Sequence, residues 1–138
     1  MEPAPFLGPA PGGLAADETW WITASDGTRL RAGLWHAQDA RAHCLFLTGR
    51  TEYIEKASIP AADLVQRGYS VISLDWRGQG LSARATDNPL KGHVGDFDEF
   101  QRDLDALLAT PQAKALPGAR LLMCHSMGGL IGAAALQR

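Results

Sequence analysis

The chain has little that would tie it together covalently and nothing that would carry it through a membrane. Two cysteines, Cys44 and Cys124, are the only thiols in 138 residues. Both lie in apolar runs, which argues against a disulfide framework and for two small buried core residues. No apolar run approaches the ~20 residues that a membrane-spanning helix requires. Thirteen Lys and Arg against fifteen Asp and Glu leave a net charge of −2. The cations are scattered, so a nucleic-acid partner is not expected. Metal-ligand spacing is missing. Gly78-Gln79-Gly80 lacks the third glycine and the strand–helix setting of a dinucleotide-binding turn. No metal and no cofactor is therefore expected.

The first residues are rich in Pro, Gly and Ala, with no basic start and no continuous apolar stretch. They do not read as a signal peptide. Residues 1–18 are expected to form a flexible lead, followed by one domain over 19–138. A cytoplasmic setting follows by default, and peripheral contact with a membrane surface stays open.

What is present alternates. Thr19–Ala24 has strand composition, Ser25-Asp26-Gly27-Thr28 signals a turn, and Arg29–Trp35 alternates Leu30, Ala32 and Leu34 against Arg29, Arg31 and Gly33. These predict a β-hairpin. His43–Leu47 reads as a short apolar strand. A helix with Ala57, Ala61, Leu64 and Val65 on one face should follow, stopping at Gly68. Pro60 fits only a first turn, which predicts a helix start near Ser58. Tyr69–Leu74 is the next strand. Asp96 is expected to cap the following helix, with Glu99 as its capping-box partner and Phe97, Phe100, Leu104, Leu107 and Leu108 as the buried stripe. Pro111 and Pro117 bracket its end. Arg120–Cys124 is a strand, and a small-residue helix begins at Met127. Strand–helix alternation after a hairpin predicts an α/β fold: an antiparallel hairpin, then parallel strands with helices on both faces.

Chemistry concentrates at the last junction. Cys124-His125-Ser126-Met127-Gly128 runs from an apolar strand into a helix, the context in which G-x-S-x-G lifts a serine off a sheet as a nucleophile. Cys124 departs from the pattern at its first glycine, while Gly128 and Gly129 supply the elbow glycines. Ser126 is the candidate nucleophile. An oxyanion needs aimed donors, and the backbone N–H groups of Met127 and of Arg50, after Thr48-Gly49, are the candidates. Asp75 follows a strand and reads as a structural carboxylate that bonds local backbone. Strand alternation aims the His125 side chain away from that of Ser126. His93 lies in a loop, and His36 and His43 read as surface residues. No histidine qualifies as a general base, and residues 128–138 contain no Asp, Glu or His.

Three segments occur in order: Gly49-Arg50-Thr51-Glu52-Tyr53-Ile54-Glu55-Lys56, Asp75-Trp76-Arg77-Gly78-Gln79-Gly80-Leu81-Ser82, and His125-Ser126-Met127-Gly128-Gly129. With them the chain resembles the lysophospholipase and monoacylglycerol-lipase branch of the α/β-hydrolases, also grouped as serine aminopeptidase-like. The resemblance implies hydrolysis of a lipid ester through an acyl-enzyme on Ser126. It also implies a triad acid and histidine beyond the last strand, which these residues do not contain. Many relatives have His-Gly where this chain has Thr48-Gly49. The chain is thus expected to be the N-terminal half of an α/β-hydrolase fold, truncated after the elbow helix. It should have little activity alone and should need a complementing C-terminal half. A non-catalytic remnant or interaction module is the alternative.

Overall fold

The computed structural model describes residues 1–138. Strands β1 (Glu18–Thr23) and β2 (Arg29–Trp35) form the expected antiparallel hairpin. Strands β3 (Ala42–Leu47), β4 (Tyr69–Leu74) and β5 (Ala119–Cys124) complete one five-stranded sheet in the order β1-β2-β4-β3-β5. β3 pairs in parallel with both β4 and β5, while β2 meets β4 antiparallel. Helices α1 (Ile54–Gln66), α2 (Glu99–Leu108), α3 (Pro111–Ala115) and α4 (Met127–Ala135) flank it. None is long and apolar enough to cross a membrane.

Alternation sorts the core into two layers. On one face Cys44 and Phe46 of β3 and Val71 of β4 pack with Ile54, Ala57, Ala61 and Leu64 of α1. On the other, Leu45, Leu47, Ile72 and Leu74 pack with Phe100, Leu104 and Leu107 of α2 and Ile131 of α4. Helices on both faces follow because successive strand side chains point to opposite sides and each side carries apolar groups.

Several local expectations are corrected. α1 begins at Ile54, not near Ser58, and carries Pro60 inside. Its start is set from a distance, because the Asp75 carboxylate accepts from the Ile54 N–H at 2.8 Å. Burial of the apolar stripe outweighs the hydrogen bond that the proline removes. The capping box at Asp96 does not form. α2 starts at Glu99 after Asp98, and Asp96 instead closes a local turn onto the Asp98 N–H. Glu99 turns to the Arg77 guanidinium at 2.6 Å, a bond in which donor and acceptor are both charged. Phe97 is 37% exposed and stands outside the buried stripe. The segment between Pro111 and Pro117 holds α3, which has proline in its first turn and is capped by the Thr110 hydroxyl.

His43 is buried rather than superficial. Its ring contacts the Pro117 carbonyl and Arg120 beside β5. His36 lies at the surface near Glu18. Cys44 is buried and Cys124 half-buried, and both thiols are free. Burial pushes the Cys44 thiol up to about 11.

The lead, expected to be flexible, lies against the domain. Its backbone bonds β1 through Ala4 to Thr19 at 3.0 Å and Trp21 to Glu2 at 2.9 Å. Further along, Leu7 donates to Glu55, and Leu14 accepts from the Trp35 indole. The outer edge of β1 is covered in this way, a common protection for a free strand edge. β5 has no such cover. Leu121, Leu122 and Met123 are 42%, 37% and 40% exposed.

Candidate active site at the elbow

Ser126 ends the turn between β5 and α4 with φ 52° and ψ −119°. A side chain at positive φ is strained, and strain of this kind persists only where surrounding packing imposes it. Here the imposition is visible. The His125 N–H donates to the Leu47 carbonyl, and the Gly128 N–H closes back on His125. A Cβ on Gly128 would stand 2.2 Å from the Leu47 carbonyl oxygen, so the helix can reach β3 only with glycine there. Gly129 is under no such pressure: its nearest neighbour would be Cys124 Cβ at 3.9 Å. The departure at Cys124 is absorbed one turn further along. A Cβ on Gly132 would meet the Cys124 sulfur at 2.8 Å, so the missing side chain at 132 makes room for the extra one at 124.

The second wall is the turn after β3. The Trp76 indole donates to the Thr48 carbonyl at 2.9 Å. Gln79 donates to the carbonyls of Gly49 and Glu52 at 3.0 and 3.1 Å. Glu52 accepts from the Gly49 N–H and lies 3.0 Å from the His125 ring. Burial works against the Glu52 charge, but the Gly49 N–H and His125 outweigh it and hold its carboxyl below the ordinary value. A Cβ on Gly49 would touch Glu52, His125 and Ser126 Cβ at 3.0, 3.1 and 3.2 Å. Gly49 is therefore the point where the turn after β3 and the elbow meet. Neither the Arg50 nor the Met127 N–H has a partner within the chain. Both residues line one cavity of about 620 Å³, walled further by Leu90, Val94, Phe97 and Phe100.

The remaining candidates sort by geometry. Asp75 is fully buried and spends its carboxylate on the N–H groups of Ile54 and Leu81 and on Arg31. His125 turns to Glu52, and His93 lies on the wall of the large cavity. Sequence reasoning passed over Trp76, Gln79 and Glu52, which hold the turn after β3. Their positions inside the Gly49–Lys56 and Asp75–Ser82 segments were the available signal.

A mixed sheet with helices on both faces and a strained serine between a strand and a helix define an α/β-hydrolase. A family model described as "Serine aminopeptidase, S33" matches residues 38–138, and the chain belongs to that family. Lysophospholipase L2 of Escherichia coli (strain K12) is 35% identical over 120 residues, 85% of this chain and 34% of that protein. The chain thus spans about a third of that relative's length. Among solved structures, an alpha/beta hydrolase from Novosphingobium aromaticivorans superposes with a TM-score of 0.66 at 26% identity, covering 91% of this chain and 41% of that one. A soluble variant of monoglyceride lipase from Saccharomyces cerevisiae, in complex with a substrate analog, gives 0.64 at 24%, covering 95% and 41%. At that identity it supports the fold alone.

Proposed function

We propose that this chain is the nucleophile-bearing part of a cytoplasmic serine hydrolase that cleaves carboxylic esters of lipids, of the lysophospholipid or monoacylglycerol type. The observation that carries this reading is Ser126 at φ 52° beside two backbone N–H groups, of Arg50 and Met127, left without partners. Ser126 Oγ attacks the acyl carbonyl and gives up its proton to a histidine. The C–O bond to the alcohol breaks after the tetrahedral intermediate, and water later releases the acid from the acyl-serine. The Arg50 and Met127 N–H groups hold the oxyanion. A histidine and its acid from outside these residues complete the triad, and the likeness to lysophospholipase L2 supports the lipid substrate.

The test compares two proteins on lysophosphatidylcholine and monoacylglycerol. The 138-residue chain alone is expected to show little turnover. A fusion to a segment bearing the acid and histidine loops of lysophospholipase L2 is expected to turn over. A silent fusion that binds substrate, or robust turnover by the chain alone, would refute this division of the site.

A second reading, a non-catalytic module that completes its sheet with a partner, is favoured by the exposed apolar strand β5. It predicts association that grows with concentration. A sharp monomeric boundary in sedimentation, together with cooperative melting, would refute it.

A further inference from the structure

Two cavities meet at Arg50. The larger contains Met127, with Leu90, Val94, Phe97 and Phe100 beside Lys91, His93 and Asp96. The smaller, about 320 Å³, includes Arg50, Thr51, Tyr53, Gln79 and Arg84 in its wall and no Asp or Glu. Leu90 and Gly92 also belong to both walls. The Arg50 guanidinium stands at the junction, with one Nη 3.9 Å from where a Cβ on Gly92 would lie.

Positive charge in the smaller cavity is not neutralised. The arginines that form ion pairs are Arg29, Arg31, Arg67, Arg77, Arg102 and Arg138. Arg50 and Arg84 have no carboxylate partner. Arg84 donates to the carbonyls of Gly80, Ser82 and Pro89 at 2.9, 2.7 and 3.0 Å. Those bonds fix its position and leave its charge uncompensated. Arg50 donates none of its guanidinium N–H groups within the chain, and Thr51 and Tyr53 belong to the same wall. Two guanidinium groups, one anchored and one free, in a wall that carries no acid, suit a planar or tetrahedral oxyanion. In a chain of net charge −2 this local excess is not a general property of the surface.

The geometry points to the smaller cavity as a binding site for a phosphate ester, with Arg50 and Arg84 as its cations. The phosphate belongs to a soluble phosphate ester or to a lipid headgroup. The lipid source rests on the ester-hydrolase reading above. In that case the Arg50 backbone N–H holds the acyl carbonyl while its side chain holds the phosphate of the same molecule, and the Leu90, Val94, Phe97 and Phe100 part of the larger cavity takes the acyl chain.

The test titrates the 138-residue chain with inorganic phosphate and glycerol phosphate, read by phosphorus NMR line width and calorimetry. Saturable binding is expected. Arg50→Gln should weaken it about tenfold or more, as loss of one charge-assisted contact implies. Arg50→Lys should recover part of the loss, since it restores charge without the planar fork. No saturation at tens of millimolar, or equal binding by a folded Arg50→Gln variant, would overturn the site. Lysophosphatidylglycerol micelles that bind tighter than glycerol phosphate, while neutral monoacylglycerol micelles do not, identify the lipid source. Equal binding of the two phosphate esters identifies a soluble one. Ser126→Ala should bind phosphate as the parent does. A failure of hydrolysis therefore leaves this site standing, and binding that ignores Arg50 removes it even in a hydrolysing protein.

Discussion

Arg31→Met is expected to lower the folding stability by about 3–5 kcal/mol, the usual result of removing one partner from a buried ion pair. Domains of this size are stable by only about 5–15 kcal/mol, so the variant should be close to unfolding. The Arg31 side chain is 1% exposed and sits between two acids. Its Nε donates to Asp75 at 2.8 Å, and its Nη groups donate to both oxygens of Glu55 at 2.7 Å. Without the guanidinium two buried carboxylates lose their only cation and repel each other. Burial already pushes the Asp75 carboxyl above its ordinary value, with Arg31 and two backbone N–H groups pulling it back. A carboxyl whose folded pKa is raised gains stability as pH falls through that pKa, because the native state then binds the proton more readily than the unfolded chain. The deficit of Arg31→Met should therefore be largest near neutral pH and shrink as Asp75 protonates. Urea unfolding at neutral and mildly acid pH measures both. A neutral-pH loss below about 1 kcal/mol, or a loss that grows in acid, would contradict the account.

Ser126→Ala, made in a form that carries the acid and histidine loops, is expected to lower kcat by about 10⁴–10⁶, the range seen when a triad serine is removed. The substitution keeps Cβ and deletes only the hydroxyl, so the positive-φ turn holds an alanine under the same strain it holds a serine. Substrate binding should survive, because the cavity at Arg50 and Met127 does not include the hydroxyl. The expected pattern is thus a collapse of kcat with the dissociation constant of the substrate unchanged. A variant that retained more than a tenth of the turnover would assign the nucleophile elsewhere.

The hairpin, the three parallel strands and the order of helices were legible because apolar periodicity carries them directly. Leu30, Ala32 and Leu34 do face one core, and Cys44 and Phe46 face the other. The position of the elbow was equally legible, since a strand, a Ser-x-Gly turn and a run of small residues occur within a few positions. Helix ends were not. The start of α1 is set by Asp75, 21 residues away in sequence, and the start of α2 by the competition of Arg77 for Glu99. His43 gave no signal of burial, because its partners, Pro117 and Arg120, lie more than 70 residues on. Arg31 read as the polar face of a half-exposed strand and is buried because α1 and the lead cover that face.

The sequence by itself determined the layer architecture and the strand-to-helix turn that holds Ser126 at positive φ. Both follow from local rules: the period of apolar side chains, and the need for glycine where a helix leaves a strand abruptly. Tertiary structure alone decided what stands around that residue. It brought Gln79, Trp76 and Glu52 onto the turn after β3, made room for Cys124 at Gly132, and gathered Arg50 and Arg84 into one wall. Most of these contacts join groups far apart along the chain: Trp76 and Gln79 reach that turn across 27 to 30 residues. Their energies depend on distance and burial, which no local pattern of residues encodes.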